Sequence, residues 1–158
     1  NDTTSLVTAE ERLAQKEVTQ KLFDMTEELA YMVDTIDANI AFAERMKSEN
    51  PKAAKVCNIT ISKLNELKKT LVVTTGDNYV GRAENELREN ILDLYSKIAP
   101  RYDAPTQAEM ENLEALEKEL NEAKATLDKI EAKEVKKLNK LTPKNSRAPE
   151  TKKQKKRF

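Results

Sequence analysis

Residues Thr106–Ile130 read TQAEMENLEALEKELNEAKATLDKI. Leu113, Leu116, Leu120, Ala123, Leu127 and Ile130 recur there in alternating steps of three and four. That spacing lines one face of an α-helix and does not fit the two-residue period of a strand. Thr106 and Glu109 bracket its start as a capping box, in which hydroxyl and carboxylate satisfy helix-start amides reciprocally. Acidic residues crowd its first turns and lysines its last, as the helix dipole favours. Past Ile130 the series degrades through Glu134 and Lys137 and resumes at Leu138 and Leu141, so a helix is expected over 106–141. Beyond Thr142 the period stops and Pro143, Asn145, Ser146 and Pro149 appear, which predicts a disordered basic tail over 143–158.

Working back along the chain, Pro100 and Pro105 bracket a loop. Ala83, Leu87, Ile91, Leu94 and Ile98 predict a helix over 82–98. The stretch 74–81 holds both glycines of the chain with Asp77 and Asn78 between them, and reads as a loop. Cys57, Ile61, Leu64, Leu67 and Leu71 predict a helix over 51–74, opened by Asn50-Pro51. Cys57 falls on that stripe and reads as a small core residue. The longest series, Val18, Leu22, Met25, Leu29, Met32, Ile36, Ala43 and Met46, predicts a helix over 9–48 behind the capping box Thr8–Glu11. Asn39 lies on this seam: either it sets register at a cost in stability, or Ile40 takes over the contact.

At 1.5 Å per residue the first and last helices span about 60 and 54 Å, and the two between them sum to about 61 Å. The match predicts an all-α, elongated antiparallel three-helix bundle whose middle arm is broken by the 74–81 loop. A four-helix bundle is the alternative. The expected organisation is a helical body over 1–142 and a tail over 143–158.

Composition narrows the chemistry. The 158 residues include no His, no Trp and a single Cys. His-ligated metal and haem, Ser–His and Cys–His catalysis, intrachain disulfides and thiolate clusters are therefore excluded. Gly76 and Gly81 join helices, without the strand-to-helix spacing of a phosphate-binding loop. A di-metal bundle core uses inward Glu and Glu-x-x-His, which this chain cannot supply. No catalytic, cofactor-binding or metal-ligating residue is assigned, and no cofactor is expected.

Charge is balanced overall, with 28 basic and 28 acidic residues. From Lys133 to Phe158, however, eleven basic residues face only Glu134 and Glu150, so that stretch carries +9 and the rest −9. Lys152, Lys153, Lys155, Lys156 and Arg157 form a candidate anion-contact tail toward nucleic acid or an anionic membrane surface. Phe158 is its only aromatic residue, which gives little support for base stacking. No stretch approaches the roughly 18 apolar residues of a transmembrane helix.

Several short motifs fall in a familiar order: Lys69-Thr70-Leu71, Gly76-Asp77-Asn78-Tyr79, Glu86-Leu87-Arg88, Leu92-Asp93-Leu94-Tyr95, Pro105-Thr106 and Leu138-Asn139. With these, the chain resembles the helical C-terminal region that follows sortilin-like, BNR-repeat β-propeller domains in bacterial exported proteins. In that group an Asn-Tyr-Pro loop leads into a Leu-rich helix; here Tyr79 precedes Val80. The resemblance implies a protein of the periplasm or cell surface, related to glycosyl-hydrolase-like proteins whose activity would sit on the propeller, so no catalytic residue carries over. The resulting expectation is a non-catalytic helical spacer or docking module for protein partners, with Asp77, Asn78 and Tyr79 as a partner-contact loop. The alternative is a cytosolic coiled-coil adaptor that binds nucleic acid or an anionic surface through the tail.

Overall fold

The computed structural model describes residues 7–73 and 86–142. All regular structure among these residues is helical. The contact loop Asp77–Tyr79 and the tail 143–158 lie outside the described residues.

Helix α1 covers Ala9–Glu49. Both halves of its capping box form: the Thr8 hydroxyl accepts from the Glu11 amide, and the Glu11 carboxylate from the Thr8 amide, each at 3.0 Å. Asn50 leaves helical geometry and ends α1. Its side chain then accepts from the Lys52 amide at 3.2 Å, opening a 3₁₀ turn over Pro51–Ala53. Helix α2 follows over Ala54–Leu71. It stops short of the expected residue 74 because Val72 turns extended.

Helix α3 covers Leu87–Ile98, so the expected start at 82 lies outside the described residues. Its last carbonyls are satisfied from another helix: the Gln15 amide of α1 donates to the carbonyls of Ile98 and Ala99, both at 3.1 Å. A buried helix end without such partners would be costly. Helix α4 covers Gln107–Ile130, again behind a complete capping box. A π-helical turn, Glu131–Val135, links it to α5, Lys136–Lys140.

Ion pairs and hydrogen bonds place the helices against one another. Asp37, in the second half of α1, meets Lys68 of α2 at 2.7 Å, and Gln15, near the start of α1, meets the end of α3. Lys21 meets Glu117 at 2.9 Å and Glu28 meets Lys124 at 2.8 Å, so α4 runs with α1. Lys21 thus reaches across helices, and at 2.9 Å Lys63 joins α2 to the π turn through Glu134. Helix α1 packs most extensively on α2 and then α3, and α4 packs against all three.

The seams point inward: Leu29, Leu64, Leu94 and Leu127 are all buried. Burying such a side chain stabilises by about 1.5–3 kcal/mol, so the seams rather than helix propensity hold the rods together. The core divides into two clusters. The larger extends along α1 to Ile36, begins on α2 at Leu64 and reaches Val135. The smaller holds Phe42, Ala43, Met46, Ala53, Cys57 and Leu138.

Three buried polar residues sit at the junction: Asn39, Thr60 and Glu134. The first two bond back to their own helices, Asn39 to the Thr35 carbonyl at 3.1 Å and Thr60 to the Val56 carbonyl at 2.8 Å. Asn39 is therefore a seam residue, while Ile40 packs at the edge of the larger cluster.

The π turn explains the degraded heptads. Extending the α4 series predicts seam positions 134, 137 and 141. From the last residue of the turn onward the buried residues are instead Val135, Leu138 and Thr142, each one position later. The turn accommodates a single extra residue, and Glu134 occupies the old phase. Thr142 is accordingly 5% exposed and Leu141 46%, which corrects the expectation that Leu141 lies on the seam.

Candidate functional site

Neither predicted contact segment can be placed: Asp77, Asn78 and Tyr79, and Lys152, Lys153, Lys155, Lys156 and Arg157, all lie outside the described residues. The most unusual chemistry within them is at the π turn. π-Helical turns inside α-helices frequently mark functional sites. Here the turn places the Glu134 side chain at 6% exposure, with Oε2 2.9 Å from Nζ of Lys63, which is 45% exposed. Lys133 Nζ stands 4.0 Å from the same oxygen. A buried carboxylate thus meets an ammonium that keeps much of its hydration, which limits the desolvation cost that a wholly buried pair incurs.

Glu134 stands at one end of a groove of about 690 Å³ between α2 and α4. Leu67, Leu71 and Ile130 form the floor, and all three are buried; Glu66, Glu119 and Lys129 stand exposed on the rim. The groove therefore combines an apolar lining with a charged rim. Sequence reasoning missed Glu134 as a buried group, although the break in the heptads at that residue was its signal.

A second polar cluster closes the other end of the molecule. Arg101 binds Glu109 in a fork, Nη1 to Oε2 at 2.8 Å and Nη2 to Oε1 at 2.7 Å, and its Nε donates to Asp103 at 3.0 Å. The Thr106 amide also donates to Glu109, at 2.9 Å. The Arg101 fork, then the capping amide, hold the Glu109 carboxyl at about 2, down from its ordinary 4.5. A depressed acid contributes stability that is full above about pH 4.5 and lost as pH falls through about 2. Glu109→Gln should therefore flatten the melting-temperature profile between these values, while leaving its slope above pH 5 unchanged. An acid limb identical to that of the parent protein would refute the assignment. Arg12 lies 5.0 Å above the Tyr102 ring at this same end.

Cys57 is buried, and burial pushes its thiol up, so the nucleophilic thiolate is disfavoured. Among the described residues no group of three or more acidic or cysteine side chains is placed to hold a metal ion. No helix among them is long and apolar enough to cross a membrane. Comparison of the chain with protein-family models, curated proteins and solved structures found no match.

Proposed function

We propose that this chain is a non-catalytic helical spacer and docking module of an exported or cell-envelope protein or complex. We read its architecture as an elongated three-arm bundle, with α2 and α3 forming one interrupted arm between the two long ones. The observation that carries the reading is the apolar seam along α4 and along α1, which on α1 is interrupted at Asn39. It commits the interior to aliphatic packing and leaves charged outer faces on a long, stiff body. The resemblance to helical regions that follow β-propellers supports the envelope assignment, and the 74–81 loop, with Asp77, Asn78 and Tyr79, is the proposed contact with a protein partner. No cofactor enters this reading.

Fractionation of the source cells, followed by cross-linking of the native protein, tests it. A periplasmic or surface fraction with one reproducible protein partner is the expected result. A cytosolic pool released from nucleic acid by nuclease would overturn it in favour of the adaptor reading. The basic tail, through Lys152, Lys153, Lys155, Lys156 and Arg157, is what favours that second reading. Removing residues 143–158 separates the two: under the docking reading, partner binding survives and retention on heparin or DNA is incidental. If the tail is the functional element, the truncated chain loses salt-sensitive retention and all recovered partners.

A further inference from the structure

We infer that the end of the bundle built around Phe42, Met46, Cys57 and Leu138 opens as a cooperative unit of its own, with the Asn39–Thr60–Glu134 layer and the π turn as its boundary. Three observations converge on that place. Apolar packing is interrupted there, since the larger cluster stops at Ile36 and Leu64 and the smaller begins at Phe42 and Cys57. One buried polar residue stands at the interruption on each of α1, α2 and the π turn. The α-helical hydrogen-bond ladder between α4 and α5 changes to π geometry at the same level.

Among the described residues, the Asn39 amide and the Thr60 hydroxyl each donate within their own helix. The bond that crosses the layer is Glu134 to Lys63, and it ends on a half-exposed ammonium. A small cluster joined to the main core through such a layer can be released while the larger cluster stays packed. Units of this kind open at free energies below that of global unfolding. Opening would expose Phe42, Met46 and Leu138 to solvent.

Cys57 reports on the event directly, being the one cysteine of the chain and fully buried in the smaller cluster. Its labelling by an aromatic disulfide reagent should be nearly independent of urea at low concentration. Near the unfolding midpoint it should merge with the steep line of global unfolding. Leu138→Ala should raise the low-urea rate by about tenfold or more, because it weakens only the smaller cluster. Leu120→Ala, in the larger cluster, should lower the urea midpoint and leave the low-urea rate unchanged. The inference fails if wild-type labelling shows the full urea dependence of global unfolding at every concentration. It fails equally if both substitutions accelerate low-urea labelling alike.

Discussion

Leu120→Asp is expected to cost about 4 kcal/mol or more, a large fraction of the roughly 5–15 kcal/mol that holds a domain of this size folded. Leu120 is wholly buried on the α4 seam, within the larger cluster. An aspartate there loses the transfer energy of the leucine, leaves a cavity and strands a carboxylate with no cation on the seam to meet it. Urea unfolding monitored by far-ultraviolet dichroism measures the loss. The contrast is its neighbour: Glu119→Gln, at an exposed position, should move stability by no more than about 0.5 kcal/mol. Near-equal midpoints for the two variants would show that the seam has been misplaced.

Deleting Glu134 is expected to do what deletion within a long helix almost never does, which is to stabilise. Removing one residue from the π turn brings Val135, Leu138 and Thr142 into phase with Leu127 and Ile130, so the turn can close into ordinary α-helix. It also removes a buried carboxylate and frees Lys63 into water. Replacing a buried ionic group by apolar packing commonly stabilises by about 1–4 kcal/mol. The control is deletion of Glu122, in the middle of α4, which would turn Leu113, Leu116 and Leu120 out of phase with Ala123, Leu127 and Ile130, so that one half of the helix must leave the core face. Melting temperatures of the two deletion variants decide the matter; equal destabilisation would mean that the π turn is not a one-residue insertion.

The long helices were legible because their signals are local and redundant. Thr8–Glu11 and Thr106–Glu109 are capping boxes that need no tertiary context, and the capped series repeat over many turns. The end of α4 was harder. The heptad count stalls at Glu134, but a stall fits either a weakened seam or a change of phase. Only the packing of Leu138 among Phe42, Ala43 and Cys57 distinguishes them. The burial of Glu134 was signalled by that stall but not decided by it: a carboxylate in a Lys-rich stretch looks solvated until a helix distant in sequence supplies Lys63. The pairing of Arg101 with Glu109 depends on how the chain turns between α3 and α4, which Pro100 and Pro105 announce without specifying. The candidate contact residues came from composition and resemblance rather than periodicity, and no packing argument reaches them.

The two ion pairs between α1 and α4 have opposite polarity one heptad apart, Lys21 with Glu117 and Glu28 with Lys124. Both pairs are partly solvated, and each alone adds little to stability. Their arrangement discriminates nonetheless. Sliding α4 by seven residues in one direction sets Lys124 beside Lys21, and in the other it sets Glu117 beside Glu28. A seven-residue slip would otherwise preserve apolar contact along much of the seam, so hydrophobic matching alone distinguishes poorly between neighbouring alignments. Repulsion between like charges penalises both misalignments, and these surface side chains therefore act by selecting one alignment of the rods over its nearest competitors.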